Sequence, residues 1–282
     1  MADLAFVNGT WSPIGDARVS IEDRGFQFGD GIYEVVAAYH GKPFLLDRHL
    51  ARLKRSAEAI RLELDFSVLS LDSIVLDGLR RSDLGDTMVY LQITRGVAPR
   101  SHVIPPGLIP TVVLTFRPLP RIPDNLRRFG LKARTVIDDR WDRCFIKAIT
   151  LLPNVLAKNE ALQRGYDEAI YITESGEVRE CPSANVFIVK DGALRLPPRD
   201  QTILHGVTQS VILECAESIG APCNEEPCDL DLLRSADEVF LSSTISEVLG
   251  ITSVDDRPIG RGLVGPVTRR LHDAFIAKTR SS

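Results

Sequence analysis

The apolar positions of the chain change period several times, and each change predicts an element. Phe6-Val7-Asn8-Gly9-Thr10-Trp11 reads as strand, turn, strand, with Asn-Gly as the turn. Ile32 to His40 is β-branched and aromatic and stops at Gly41-Lys42-Pro43. Leu50, Leu53, Ala57 and Ile60 then recur at helical spacing behind Asp47, a candidate N-cap. A second helix is expected over about 71–81. Strands are expected over 87–95 and 111–117. Further strands are expected near 131–137, 168–173, 184–189 and 238–242, with helices over about 154–164 and 208–218. In the last of these, Val211, Ile212, Cys215 and Ala216 share one side. Between these regions lies Arg117-Pro-Leu-Pro-Arg-Ile-Pro-Asp124, whose three prolines admit no regular element and stiffen the chain. The pattern predicts an α+β (mixed α/β) protein of two domains. A small N-terminal domain covers 1–118, a Pro-rich linker 119–124 and a larger domain 125–282.

Composition narrows the function classes. A chain of 282 residues is comfortable for two domains, and 44% hydrophobic with 26% charged residues is an ordinary globular balance. A net charge of −4 gives no basic footprint for nucleic acid or an anionic membrane. The first residues lack a basic region before a long apolar run, and no stretch approaches a membrane span, so a cytoplasmic location is expected. The five cysteines (Cys144, Cys181, Cys215, Cys223 and Cys228) match no zinc spacing and read as reduced thiols, with no metal site expected. No dinucleotide or Walker glycine pattern occurs.

Four features could carry chemistry. Lys147 closes Arg140-Trp-Asp-Arg-Cys-Phe-Ile-Lys147; facing a dry cleft, its amine would become a nucleophile toward carbonyls. Glu180 could pair with a cationic ring nitrogen. Leu204-His-Gly-Val-Thr208 puts a glycine and a hydroxyl ahead of a helix, where an anion can bind, and Ser242-Ser-Thr-Ile-Ser246 offers hydroxyls after a strand. Arg100 and His102 are two apart, so in an extended loop they point the same way and could grip a carboxylate. Taken singly, each has a plainer reading: a surface lysine, a turn glutamate, a helix cap at Thr208, an exposed basic loop.

Together, the ordered motifs resemble the fold-type IV pyridoxal-phosphate aminotransferases, and within them the bacterial D-amino-acid transaminases. The carriers are Glu22-Asp-Arg-Gly-Phe-Gln-Phe-Gly-Asp-Gly-Ile-Tyr-Glu-Val-Val36, Ile93 to His102, Arg140 to Lys147 with Leu156 to Ala161, Ser183-Ala-Asn-Val-Phe187 and Leu204 to Thr208. The similarity runs from about residue 3 to 277. It implies pyridoxal 5'-phosphate as cofactor and assigns roles. Lys147 matches the Schiff-base lysine that shuttles the proton between substrate Cα and cofactor C4′, and Glu180 the partner of the pyridine nitrogen. Arg52, Thr208 and Thr244 match phosphate contacts, with Val207 and Ser243 nearby, and Leu204 matches a residue packing on the ring. Tyr33, Arg100 and His102 match the group that holds the substrate α-carboxylate. The family is homodimeric, and its carboxylate loop reaches in from the partner subunit.

The implied activity is transamination of D-amino acids, such as D-alanine and D-glutamate, with 2-oxoglutarate or pyruvate. The sequence departs from the family pattern at Cys181-Pro182, where small residues are usual. The proline removes an N–H donor and alters the pocket wall, so a range broadened toward (R)-primary amines is expected. Rival readings within the fold are a branched-chain L-aminotransferase, an (R)-amine transaminase and an aminodeoxychorismate lyase. A non-catalytic pyridoxal-phosphate-binding protein is the alternative from another class.

Overall fold

The structure is a computed structural model, and it describes residues 3–281. The chain divides into two units: residues up to Pro120 together with Ile146–Thr150, and Arg121–Phe145 together with Leu151–Ser281. The expected boundaries therefore differ at Ile146–Thr150, which leaves the second region to fold with the first. Backbone pairing is the reason. The Tyr33 N–H donates to the Lys147 carbonyl, Ile149 N–H to the Gly31 carbonyl, and Ala148 bridges Ile32.

The first unit is one antiparallel sheet with helices. In chain order it contains β1 (Leu4–Val7), β2 (Thr10–Pro13), α1 (Arg24–Phe28), β3 (Gly31–Tyr39), β4 (Lys42–Pro43), α2 (Leu46–Ala59), α3 (Phe66–Leu69), α4 (Leu71–Ser82), β5 (Thr87–Thr94) and β6 (Thr111–Pro118). The strands lie in the order β2-β1-β6-β5-β3-β4. The Asn8-Gly9 turn takes positive φ at both residues, as a two-residue hairpin requires. Ile32, Leu53, Val75, Leu91, Leu114 and Phe116 are fully buried. At Gly78 a Cβ would stand 2.0 Å from the Phe116 ring, so only glycine lets α4 lie this close to β6. Asp47 is not an N-cap. The chain enters α2 through left-handed Leu45 with no side-chain cap, and Asp47 sits inside the first turn, where its charge meets the helix dipole.

The second unit holds α5 (Asp124–Phe129), β7 (Leu131–Ile137), α6 (Leu152–Gln163), β8 (Glu168–Ile172), β9 (Asn185–Lys190), β10 (Ala193–Leu196), α7 (Val207–Ser218), β11 (Cys223–Glu225), α8 (Leu230–Arg234), β12 (Glu238–Ser243), β13 (Glu247–Val254), β14 (Arg257–Pro258) and α9 (Pro266–Ser281). Its sheet runs β11-β10-β9-β12-β13-β7-β8, with β14 on β13. Pairing is mixed: β13–β7, β7–β8 and β10–β11 are parallel, the other pairs antiparallel. Strand β8 is buried at every residue, and Ile170, Val186, Ile188, Val239, Leu241 and Ile251 belong to one apolar cluster. Helices α7 and α9 pack on each other, α7 on β12 and α9 on β13. Among the described residues no helix is long and apolar enough to cross a membrane. The five cysteines are unpaired.

Candidate active site

In the first unit the pleat of β3 sorts two neighbouring side chains. Glu34 is fully buried and receives three donors. Arg52 of α2 reaches it through Nε at 2.7 Å and Nη2 at 2.8 Å, and His49 Nδ1 stands 2.7 Å away. Burial alone would raise the Glu34 carboxyl, but the Arg52 charge, its hydrogen bonds and those of His49 outweigh it and hold the group at about 2. Arg52 is thus a cation fixed in place by a carboxylate. Tyr33 turns the other way and stacks on Tyr90 with ring centroids 5.6 Å apart. The Lys147 ammonium lies over the Tyr33 ring, Nζ 4.3 Å from its centroid, and the Lys147 N–H donates to Ser56 Oγ at 3.1 Å. Tyr33, Arg52 and Lys147 are therefore organised by β3 and α2.

Arg100 and His102 lie on the loop after β5, both exposed. The segment bends at both residues, and both reach the same neighbour, Phe28. The Arg100 guanidinium carbon is 4.7 Å from the Phe28 centroid, and the His102 ring 5.6 Å. The loop opens at Gly96, where φ is +106° and an added Cβ would stand 2.0 Å from the Ile109 carbonyl oxygen. Gly96→Ala is therefore expected to destabilise the fold by about 2–3 kcal/mol, from backbone strain and overpacking together. Thermal unfolding of the variant tests this; an unchanged midpoint would show that the loop yields cheaply.

The second unit carries the remaining candidates, among them Glu180, which is 4% exposed. Arg140 Nη1 donates to its Oε1 at 2.8 Å; Asn185 Nδ2 at 3.2 Å and the Leu204 N–H at 3.1 Å donate to Oε2. Burial raises the Glu180 carboxyl to about 7, more than Arg140 lowers it. Arg140 is itself locked by Asp138, through Nε at 2.9 Å and Nη2 at 2.8 Å, and covers the Tyr171 ring at 4.1 Å. Asn185 is the hub. Its Nδ2 also donates to the Leu204 carbonyl at 2.8 Å, and its Oδ1 would stand 2.1 Å from a Cβ at Gly206. It also pairs with Ser242 across β9 and β12.

Gly206, rather than Thr208, is the N-cap of α7. Its extended backbone needs no side chain there, its N–H donates to Gln209 Oε1, and Val207 and Thr208 fall in the first turn. Their N–H groups belong to the helix end that lacks intrahelical acceptors, which suits an anion. Ser243 and Thr244 lie where β12 enters its hairpin with β13, and Ser243 Oγ accepts from the Ser246 N–H at 3.0 Å. The hairpin requires Glu247 at φ +56°; Arg127 of α5 pairs with that carboxylate and donates to the Val248 carbonyl at 2.8 Å. Pro182 stands at the second position of the turn Cys181–Ala184, which suits its fixed φ, and Cys181 N–H donates to the Ala184 carbonyl at 2.8 Å. The Cys181 thiol is buried and pushed well up by burial, which removes it as a nucleophile.

The donor set suits a phosphorylated pyridine aldehyde. A carboxylate has roughly four lone-pair sites, and Glu180 uses three on described residues, leaving an acceptor for a ring N–H. Sequence reasoning missed Arg140, Asn185 and Glu34 as the groups that fix Glu180 and Arg52. For Glu34 the signal present was an acidic residue inside the apolar run Ile32-Tyr-Glu-Val-Val36; Arg140 and Asn185 carried none beyond their place in the motifs.

Comparison with known proteins agrees. Residues 31–254 match the family described as amino-transferase class IV. The chain is 42% identical to a D-alanine aminotransferase of Staphylococcus haemolyticus, over 96% of this chain and 95% of that one. It is 44% identical to one of Listeria monocytogenes, over 93% and 91%. Among solved structures, the branched-chain amino acid aminotransferase of Escherichia coli superposes with TM-score 0.89 at 28% identity, covering 98% and 94%. The T.th. branched-chain amino acid aminotransferase with pyridoxamine 5'-phosphate superposes with TM-score 0.91 at 26% identity, covering 100% and 96%. With its family match spanning most of the sequence and its fold shared throughout, the chain belongs to the class IV aminotransferases.

Proposed function

We propose that this protein is a pyridoxal-phosphate-dependent D-amino-acid aminotransferase, passing the amino group of D-alanine or D-glutamate to a 2-keto acid such as 2-oxoglutarate or pyruvate. The observation that carries it is the buried Glu180, clamped by Arg140, Asn185 and the Leu204 N–H with an acceptor position to spare. When bound, the cofactor supplies an electron sink for the carbanion left at the substrate Cα. Glu180 keeps the ring nitrogen cationic. Lys147 anchors the cofactor through its ε-amine and carries the proton to and from Cα as general base and acid. The first turn of α7 at Val207 and Thr208, the hydroxyls of Ser243 and Thr244, and the Arg52 guanidinium hold the phosphate, while Leu204 packs on the ring. Tyr33, Arg100 and His102 orient the substrate α-carboxylate, which decides which Cα–H meets the base.

The relatives named D-alanine aminotransferase support the D-series. We read the enzyme as a cytoplasmic homodimer. Helix α6 leaves Leu152, Val155, Leu156 and Leu162 exposed, and Ile21, Phe26, Val103 and Ile109 are exposed beside the Arg100 loop; a second copy would cover such apolar surface. The branched-chain names of the structural neighbours keep an L-aminotransferase as the second reading. Following the visible cofactor absorbance while adding D-alanine and L-alanine separately tests this. Rapid bleaching by D-alanine alone is expected. Bleaching by L-alanine or L-leucine instead would replace this reading with the second. An (R)-primary amine in the same assay tests the broadened range attached to Cys181-Pro182.

A further inference from the structure

Arg100 and His102 would hold a carboxylate only if something aims them without consuming their donors. An acidic partner would do the first and defeat the second, because it would occupy the guanidinium N–H groups and cancel the charge. The structure uses an aromatic ring instead. A guanidinium held by its face over a phenyl keeps its N–H edge available to a planar anion. The Arg100 guanidinium carbon lies 4.7 Å from the Phe28 centroid, and its one hydrogen bond among the described residues is a long one, Nη1 to the Gln27 carbonyl at 3.4 Å. The His102 ring rests on the same phenyl at 5.6 Å.

Phe28 is in turn held by a second cation. Arg24, 4% exposed, stands 4.9 Å from the Phe28 centroid, donates through Nε to Asp30 at 2.8 Å and through Nη1 to the Ser101 carbonyl at 2.7 Å. Ser101 is the residue between Arg100 and His102. Asp30 also accepts from Arg95 Nε at 2.9 Å, and Arg95 donates to the Ile60 carbonyl at 2.8 Å and the Arg61 carbonyl at 2.9 Å. Asp23 caps α1 through the Gly25 N–H at 2.8 Å and accepts from Thr94 Oγ1 at 2.9 Å. The start of the loop and its Ser101 are thus both tied to the short helix that carries Phe28 and to its flanking residues.

We infer that Phe28, backed by the Arg24–Asp30–Arg95 ion cluster, is a positioning residue that aims Arg100 and His102 and so sets affinity for the substrate carboxylate. This rests on the function proposed above. Phe28→Leu keeps apolar bulk and removes the π face; Phe28→Tyr keeps both. The holoenzyme is titrated with propionate, a carboxylate without an amine, following the cofactor absorbance, and D-alanine saturation curves are recorded alongside. For Phe28→Leu, propionate affinity is expected to fall and the KM for D-alanine to rise about two- to fivefold, the scale of a lost cation–π contact at an exposed site, with kcat within about twofold. Phe28→Tyr is expected to restore both, and Arg100→Ala to lose propionate as well. The inference is overturned if Phe28→Leu binds propionate like the parent, if Phe28→Tyr fails to restore it, or if Arg100→Ala leaves propionate binding unchanged. Should the propionate pattern appear in a protein that ignores D-alanine, the positioning role stands and the proposed substrate falls.

Discussion

Lys147→Ala is expected to abolish transamination, lowering kcat/KM by about 10,000-fold or more, because one amine serves both as anchor and as proton carrier. The backbone around it has little freedom. Its carbonyl accepts from the Tyr33 N–H at 3.0 Å, its N–H donates to Ser56 Oγ at 3.1 Å, and the next residues pair with the start of β3. The ammonium then sits 4.3 Å from the Tyr33 ring centroid, and its charge reaches His49, whose pKa is lowered by burial first and by Lys147 among the lesser causes. An alanine leaves this scaffold intact, since each of these backbone bonds survives, so the loss should be of chemistry and not of fold. The check is twofold: turnover of D-alanine, and borohydride reduction of the loaded parent followed by peptide mass analysis. The parent should carry the cofactor mass on the peptide containing Lys147, and the variant should carry none. Activity within about tenfold of the parent, or the mass on another lysine, would remove Lys147 from the role.

What the sequence shows of such a site depends on how local the cause is. The strands β3, β5 and β6 are legible because branched and aromatic runs end at or just before glycine or proline, and β7 because its run starts after Gly130; their bounds agree with expectation to within a residue or two. Strand β13 and helix α9 are not. Glu247–Val254 contains Gly250 and begins at a residue held in positive φ by Arg127, a contact 120 positions away in sequence. Helix α9 buries Leu271 and Phe275 within a strongly polar run, so its period is faint. The helix starts fail for a similar reason. Asp47 and Thr208 are good capping residues by type, yet Leu45 and Gly206 take the positions, because the incoming backbone and not the side chain decides where the turn begins. The chemistry divides in the same way. Lys147 and Glu180 can be nominated from motif order. Arg140, Asn185, Glu34 and Phe28 act through contacts that only folding creates.

Glu180→Gln carries the second large effect. It keeps the shape of the side chain and removes the charge that a cationic ring nitrogen needs, so kcat/KM is expected to fall by about 100- to 1,000-fold, the scale of deleting one preorganised electrostatic partner. The amide also meets its surroundings badly. Asn185 Nδ2 and the Leu204 N–H both point donors at Oε2, and Arg140 points one at Oε1, so the Gln NH₂ must face a donor whichever way it turns. pH separates this account from simple loss of fit. Burial raises the Glu180 carboxyl from 4.5 to about 7 in the protein without cofactor. A raised folded-state value favours the protonated form. The stability it contributes is therefore fully present below the unfolded value of 4.5 and is lost as pH rises through about 7. With the group almost fully buried, that loss is on the order of 3 kcal/mol. Cofactor-stripped parent should therefore unfold more readily at pH 8 than at pH 5, and Glu180→Gln, which cannot ionise, should lose most of that difference. A bound pyridinium reverses the balance by favouring the carboxylate, so loading the parent with cofactor should flatten its profile and leave that of the variant unmoved. Equal pH profiles for stripped parent and variant would show that Arg140 keeps Glu180 ionised throughout, and would place the loss of activity in the misfitted amide instead.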